Sequence, residues 1–346
     1  MIVKVMLEIR NRRYNLFKKN AFKEVKLLLF FLLSFSTIKA TVYYSYQSGT
    51  WNTANTWTTD PAGTTLLSPA VPSNSDQLVI LAGRTVTLST NVLTTGHSIN
   101  INNGGILDLS TFTISPITLL EGEGNLRIAA SYFPVVTTNN FITTSGGTVE
   151  YYNFGGPTTL PTTPTTYYNL TLSNSTSTNY VMNLGSGLTV LGVFSETATG
   201  SGSLTFGIGN DAGTSRSLVF YGNVNIGTNC TLGIGAASTA LHNISMSGNF
   251  TIDGIVDLTN NADYATNTLG AASLTFTGLS DNTVTINNSN TSFFSFIVNK
   301  GVDQTFTLSV LASVPTAPFD GKNGNEMVTL NKGTLRLGNN ITVPQL

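Results

Sequence analysis

The fold of this chain is decided by a phrase whose first copy reads Thr148-Val149-Glu150-Tyr151 and then Tyr167-Tyr168-Asn169-Leu170-Thr171-Leu172. The second copy reads Ser273-Leu274-Thr275-Phe276 and then Phe293-Phe294-Ser295-Phe296-Ile297-Val298, displaced by 125 residues in its first half (273 − 148) and 126 in its second (293 − 167). Apolar or aromatic residues alternate with polar ones in each segment, which is the period of a β-strand. A recurrent strand-turn-strand unit that cannot bury its own apolar face stacks on neighbouring units. The repeated phrase therefore predicts a solenoid.

A second repeated motif, centred on a glycine and called here the glycine echo, occupies the middle of the chain. Its spacing predicts the length of one coil. Its three copies are Val190-Leu191-Gly192-Val193-Phe194, Phe220-Tyr221-Gly222-Asn223-Val224 and Met246-Ser247-Gly248-Asn249-Phe250. Their glycines are 30 (222 − 192) and 26 (248 − 222) residues apart. This spacing is typical of solenoids and far too short for repeated sandwich domains of about 100 residues. We therefore predict an all-β, right-handed parallel β-helix whose inward Val, Ile, Leu and Phe fill the bore.

The composition supports the all-β class. Only 10% of the 346 residues are charged, against about 25% in ordinary globular proteins. Thr, Ser, Asn and Gly replace the missing charges, and these residues favour strands and tight turns. After residue 40, no long window carries apolar residues at helical spacing with caps at both ends.

Residues 1–40 have the pattern of an export signal peptide. They hold nine of the 16 Lys and Arg residues, and the apolar run Leu27–Leu33 follows this basic region. Ala40 ends a plausible cleavage site, so the mature chain is expected to begin at Thr41. The apolar run is shorter than the ~20 residues of a spanning helix. We therefore predict a secreted or outer-surface protein with no membrane span in the mature chain.

The mature chain is predicted to be acidic. Residues 41–346 carry seven basic residues (16 − 9) and 15 acidic ones (17 − 2), a net charge of −8. A sparse acidic surface repels phosphate backbones, which argues against nucleic acid as a partner.

Residues 41–90 are predicted to form an N-terminal capping module, and 91–346 the β-helix repeats. Both tryptophans of the chain, Trp51 and Trp57, lie in the module. They are expected to close the apolar end of the stack; the alternative is that their indoles stack on sugar rings. The outward members of the two tyrosine pairs, Tyr152 and Tyr168, are the other candidates for glycan stacking, although packing against the next coil would also explain them.

Residues suited to cofactor, metal or nucleophilic chemistry are few. Cys230 is the only cysteine, which excludes an intrachain disulfide, and a small buried core residue is the expected role. The two histidines, His97 and His242, belong to no metal-binding or catalytic motif. We therefore predict no cofactor and no metal site, and treat both histidines as structural polar residues.

Three acidic segments are candidates for a site. Glu121 and Glu123 flank a glycine and are expected in a solvated loop, whereas Asp253 and Asp257 would share one strand face roughly 13 Å apart. Paired carboxylates of glycosidases are about 5–9.5 Å apart. The segment 320–326 offers oxygen ligands for Ca²⁺ but lacks the EF-hand order, so a turn is the preferred interpretation.

Part of the sequence resembles a known group of proteins. The matching residues are Gly49-Thr50-Trp51, Val71-Pro72, Leu78-Val79-Ile80, Gly83-Arg84-Thr85-Val86-Thr87-Leu88 and the first copy of the repeated phrase. Together they resemble large adhesin-like secreted or surface β-helix repeat proteins of gliding Gram-negative bacteria, exported by the type IX route. The likeness covers about 42–340 and is to the N-terminal portion of such proteins. It implies export and cell-surface attachment.

These observations lead to two functional hypotheses. The first is an exported, adhesin-like protein that attaches to cells or glycans through a polar Thr/Ser/Asn surface. The alternative is a β-helical polysaccharide-active enzyme, a lyase or glycoside hydrolase, and carboxylates clustered across coils would favour it. The segments Met327–Leu330, Gly333–Gly338 and Asn340–Val343 continue the coil pattern without a cap. We therefore expect repeats that continue beyond Leu346, or end-to-end self-association.

Overall fold

The computed structural model describes residues 40–144, 146–154, 156–260, 270–319 and 327–343. The predicted signal peptide, apart from Ala40, and the acidic segment 320–326 lie outside the described residues. Residues Thr41–Leu346 form one compact unit. Within its described part, the secondary structure consists of short strands and one 3-10 helix, η1 (Ala54–Thr56).

The strands are two to six residues long and recur along the whole unit. In chain order they are β1 (Val42–Ser45), β2 (Gly49–Thr50), β3 (Trp57–Thr58), β4 (Gln77–Ile80), β5 (Thr85–Thr87), β6 (Ser98–Ile101), β7 (Ile106–Asp108), β8 (Ile117–Glu121), β9 (Asn125–Ile128), β10 (Val136–Asn139), β11 (Thr148–Tyr152), β12 (Thr158–Leu160), β13 (Thr166–Tyr167), β14 (Asn169–Asn174), β15 (Tyr180–Leu184), β16 (Leu188–Val190), β17 (Phe194–Ala198), β18 (Leu204–Ile208), β19 (Ser217–Phe220), β20 (Val224–Ile226), β21 (Cys230–Ile234), β22 (Leu241–Met246), β23 (Phe250–Ile252), β24 (Ile255–Asp257), β25 (Ala271–Phe276), β26 (Asn282–Ile286), β27 (Ser295–Asn299), β28 (Thr307–Ala312), β29 (Val328–Lys332) and β30 (Thr334–Leu337).

Within the described ranges, the strands form four sheets that run along the stack. Sheet I has six strands in the order β10-β8-β6-β4-β1-β3, and sheet II has 12 in the order β2-β5-β7-β9-β11-β14-β17-β20-β23-β26-β28-β30. Sheet III has five, β12-β15-β18-β21-β24, and sheet IV has seven, β13-β16-β19-β22-β25-β27-β29. Apart from the antiparallel β1–β3 pair, strands of the described residues pair in parallel between successive coils. The predicted parallel β-helix is confirmed.

Sheet II is continuous, whereas the opposite wall changes half-way. From β4 to β11 the chain alternates between sheets I and II, and from β14 to β25 it passes through sheets II, III and IV in each coil. The inward column of sheet II gives the coil lengths: 30 residues from Phe194 to Val224 (224 − 194) and 26 from Val224 to Phe250 (250 − 224). These are the two intervals that the glycine echo predicts.

The glycines of that echo lie directly above one another. A Cβ added to Gly222 would lie 2.1 Å from the carbonyl oxygen of Gly192, and one added to Gly248 would lie 2.1 Å from that of Gly222. No side chain fits between backbones at this distance. The echo therefore marks a corner where successive coils approach too closely for any residue but glycine.

We expect Gly222→Ala to destabilise the protein by about 1–3 kcal/mol, since the added methyl group must push two coils apart. Gly187→Ala is the matched control, because its Cβ would meet only the Ser217 carbonyl oxygen, at 3.4 Å. Urea unfolding followed by circular dichroism gives both free energies. Equal midpoints for the two variants would contradict the steric argument.

The two halves of the repeated phrase occupy successive coils. In the first copy Val149 pairs with Leu170 in sheet II, and in the second Leu274 pairs with Phe296 in sheet IV. The stretch between the halves is therefore a whole coil and not the turn of a strand-turn-strand unit. The two copies are alike in sequence but form different walls of the solenoid.

Asparagines join the coils at the corner before sheet II. The Oδ1 atom of Asn169 accepts a hydrogen bond from Val193 N at 2.8 Å, and that of Asn223 from Asn249 N at 3.0 Å. Asn249 Oδ1 in turn accepts from Thr283 N at 2.9 Å. Each side chain thus satisfies a backbone donor of the next coil, where the sheet hydrogen bonds end.

Aromatic side chains fill the bore where sheet I gives way to sheets III and IV. Tyr151 and Tyr167 are buried and meet edge to face, with ring centroids 6.2 Å apart. Their hydroxyl groups share a hydrogen bond of 3.2 Å, and Phe133 packs edge-on against Tyr167 at 6.4 Å. Large rings thus pack against one another where the walls of the solenoid change.

The last described strands are more exposed than those of the middle. Leu330 in β29 is 55% exposed and Leu337 in β30 is 38% exposed, whereas the apolar residues of β26 are buried. The end-to-end self-association that the sequence suggests stays a prediction.

Candidate functional site

The structure places the two tryptophans in the core. Trp51 is 1% exposed and Trp57 is fully buried, and their rings meet edge to face at 5.4 Å. The Nε1–H group of Trp57 donates to the carbonyl oxygen of Trp51 at 2.8 Å. The predicted burial is confirmed. Neither ring presents a face to solvent, which argues against the alternative in which Trp51 and Trp57 stack on sugars.

The tyrosine pairs alternate as the strand period predicts. Tyr151 and Tyr167 point into the bore, whereas Tyr152 and Tyr168 are half-buried on the outside. The Tyr168 ring passes over the neighbouring coil, because a Cβ added to Gly192 would lie 3.1 Å from it. Packing against the next coil therefore accounts for part of this ring.

Charged side chains gather on the outer face of sheet II, around Arg127. Parallel pairing aligns Asp108 with Arg127 and Arg127 with Glu150, so the three occupy one row across three coils. The guanidinium Nε donates to Glu150 Oε2 at 2.9 Å, and Nη1 lies 3.4 Å from Asp108 Oδ2. One cation thus pairs with two carboxylates.

Tyr152 completes the row by binding two of these groups. Its hydroxyl donates to Asp108 Oδ1 at 2.8 Å, and Arg127 Cζ lies 4.1 Å from its ring centroid. Burial, with the contribution of the Asp108 hydrogen bond, raises the pKa of Tyr152 to about 12. The guanidinium covers one face of the ring, which leaves less of Tyr152 for a sugar than the sequence suggests.

Two neutral side chains also donate hydrogen bonds to the Glu150 carboxylate. Asn125 Nδ2 donates to Oε2 at 2.9 Å, and Ser173 Oγ donates to Oε1 at 2.6 Å. We call Asp108, Asn125, Arg127, Glu150, Tyr152 and Ser173 the Arg127 cluster. Because its members bind one another, it is a preorganised surface of hydrogen-bonding groups, and among the described residues only Asn125 Oδ1 within it is buried without a partner. No sequence motif marks it, although the intervals 108 to 127 to 150 match the coil length at this point.

The histidine of the middle coils is structural. His242 is buried, its Nδ1 accepts a hydrogen bond from Arg216 N at 3.0 Å, and its Nε2 lies 2.8 Å from Ser238 Oγ. Since Nδ1 is an acceptor, the neutral ring carries its proton on Nε2 and donates to Ser238. That tautomer cannot remove the serine proton. Burial, followed by the nearby Arg216 charge, lowers the pKa of His242 to about 4.

The other residues considered for reactivity are also buried. His97 is fully buried, with its Nε2 2.7 Å from Thr94 Oγ1, and desolvation lowers its pKa. Cys230 lies in the bore at 1% exposure, and burial raises the pKa of its thiol to about 12. A thiol of this kind is protonated at neutral pH and unreactive, as the sequence suggests.

The acidic pairs do not form sites. Glu121 ends β8 while Glu123 is exposed beyond Gly122, whose φ of 107° breaks the extended chain. Asp253 follows β23 of sheet II and Asp257 ends β24 of sheet III, so the prediction that they share one strand face is wrong. Among the described residues, no group of His, Cys, Asp and Glu has the geometry to hold a metal ion.

Comparison with known proteins adds nothing to these observations: no family model, no curated protein and no solved structure matches this chain. A search of the described residues for apolar helices long enough to cross a bilayer also gives none. The case for a function therefore rests on the surface chemistry of the solenoid.

Proposed function

We propose that this protein is an exported, adhesin-like surface or extracellular protein that attaches to glycans through the outer face of sheet II. The Arg127 cluster is the observation that carries the proposal. It offers carboxylate, guanidinium, amide and hydroxyl groups in fixed positions, and oligosaccharide hydroxyls bind groups of these kinds.

The rest of the face continues the same chemistry. Parallel register aligns small polar residues in one column beyond Glu150, each on its own coil: Thr171, Ser195, Asn225, Thr251 and Thr285. Neighbouring strands are about 4.8 Å apart. A long polymer lying along the stack would therefore meet one polar side chain per coil, and many weak contacts would add up.

The Tyr168 ring adds an apolar face to the same proposed glycan-binding surface. It lies at the corner that leads into β14, one coil above β11 and its Arg127-cluster residues. Its half-exposed ring supplies the apolar face against which sugar C–H groups stack. Trp51 and Trp57 lie in the core and the guanidinium covers Tyr152, so Tyr168 is the stacking candidate that we favour.

Asp108 and Glu150 are carboxylates on nearby coils of one sheet, and this is the arrangement that would favour the alternative function, a polysaccharide-active enzyme. A polysaccharide-active enzyme needs one of them to move a proton. Arg127 is already paired with both carboxylates. We therefore rank the enzyme below the adhesin-like protein.

We expect Arg127→Ala and Tyr168→Ala each to weaken glycan binding at least tenfold. Glycan-array screening of the 41–346 segment identifies the ligand, and calorimetry then compares the variants. Tyr44→Ala is the control, because Tyr44 lies outside sheet II, in β1 of sheet I. Binding that all three variants retain would contradict the proposal.

The same panel tests the alternative. Incubation of the segment with each polysaccharide, followed by chromatography of the products, detects cleavage directly. Reproducible cleavage that Glu150→Gln abolishes would replace the adhesin-like function by the enzymatic one.

A further inference from the structure

We propose that Lys300 and Asn282 form an intramolecular amide crosslink between two successive coils. Lys300 follows β27 in sheet IV, and Asn282 begins β26 of sheet II in the coil below. The Lys300 Nζ atom contacts Asn282 Oδ1 directly. The amine and the carboxamide that such a bond requires are therefore already in contact.

The burial of the lysine is the first argument. Lys300 is 0% exposed and Asn282 is 7% exposed. A buried ammonium group is ordinarily paired with a carboxylate, because removal of an isolated charge from water is very unfavourable. The ion pairs of the described residues involve Arg127 and Arg216, and none involves Lys300. A crosslinked Lys300 carries no charge, which removes this difficulty.

The hydrogen bonds around Lys300 Nζ suit the crosslinked amide as well as the free lysine and asparagine. Lys300 Nζ donates to the carbonyl oxygen of Thr277 at 2.9 Å, in addition to its contact with Asn282. A secondary amide keeps one hydrogen on Nζ. That hydrogen would still donate to Thr277, so the site satisfies the crosslink with no unpaired donor.

The reaction needs no reagent from outside. The neutral amine attacks Cγ of Asn282, the Nζ–Cγ bond forms, and the Cγ–Nδ2 bond breaks. One amine proton passes to Nδ2, which leaves as ammonia. Desolvation lowers the pKa of Lys300, against the attraction of Asp281, and so favours the neutral nucleophile.

Asp281 is the group to which we assign the proton transfer. It precedes Asn282, its charge acts on the amine, and its Oδ1 accepts a hydrogen bond from Thr307 N at 2.7 Å. That bond fixes the orientation of the carboxylate, which is next to Asn282 in the chain. A carboxylate in this place can accept the proton from the amine and return it to the leaving nitrogen.

Intact mass spectrometry of the denatured 41–346 segment tests the crosslink. We expect a mass lower than that of the sequence by one ammonia. Chymotrypsin cleaves at Phe293, Phe294 and Phe296, and the peptides on either side should stay joined through Asn282 and Lys300. A mass equal to that of the sequence would overturn the proposal.

Two variants distinguish the crosslink from other sources of ammonia loss, such as an Asn-Gly pair elsewhere in the chain. Lys300→Met should show the full sequence mass, and a persistent loss of ammonia would overturn the crosslink. Asp281→Asn keeps an acceptor for Thr307 N but cannot carry the proton, so freshly purified protein should lose ammonia more slowly. An unchanged rate would overturn the role of Asp281.

Discussion

We expect replacement of Glu196 by glutamine to remove a pH-dependent loss of stability. In the wild-type protein the unfolding free energy should fall steeply as the pH rises above about 4.3, the ordinary pKa of glutamate. Glu196 is fully buried in β17, and neither of its carboxylate oxygens has a hydrogen-bond partner among the residues that the structure describes. Burial raises the pKa of Glu196 well above its usual value. The folded protein therefore keeps this proton in a pH range where the unfolded chain has lost it.

The sign of the effect follows from proton linkage. Between the unfolded and folded pKa values the native state binds more protons, so each pH unit costs about 1.4 kcal/mol of unfolding free energy. The contribution is favourable below the unfolded pKa and is lost progressively as the pH rises. Glu196→Gln removes the titration, and Glu196→Leu also removes the unpaired polar group.

Urea unfolding midpoints between pH 4 and pH 9 should separate these variants from the wild-type protein. We expect the wild-type midpoint to fall with pH relative to both, and the leucine variant to be the most stable at neutral pH. Glu123→Gln is the control, because Glu123 is exposed. Parallel pH profiles for wild type and Glu196→Gln would contradict the prediction.

Replacement of Trp57 by alanine is expected to cost about 3–5 kcal/mol of unfolding free energy. The indole is fully buried at the first coil, packs against Trp51 and donates a hydrogen bond to its carbonyl oxygen. Alanine leaves a cavity and an unpaired buried acceptor. Urea unfolding of the 41–346 segment measures the loss.

Trp57→Phe is the matched variant, since it keeps an aromatic ring and loses the hydrogen bond. We expect its cost to be about 1–3 kcal/mol, the penalty for the unsatisfied Trp51 carbonyl and the smaller ring. An unchanged midpoint for Trp57→Ala, together with lost glycan binding, would mean that the indole is a binding surface after all.

The local features of this fold follow from the sequence because they depend on neighbouring residues. Period-2 alternation predicted the strands around Val149 and Leu274, and the glycine echo predicted the coil length, since Gly192, Gly222 and Gly248 must stack without side chains. The same alternation places Glu196 on the inward face with Phe194. A charged side chain is expected to point to solvent, so the sequence alone did not identify Glu196 as a core residue.

The tertiary structure alone decided which residues meet across coils. Coil lengths vary, and one residue more or less changes the partner in the next coil, so the row of Asp108, Arg127 and Glu150 could not be derived from spacing. The contact between Lys300 and Asn282 depends likewise on how the corner between sheets IV and II folds. Strand formation is local and follows the sequence pattern, whereas register between coils is a property of the whole stack.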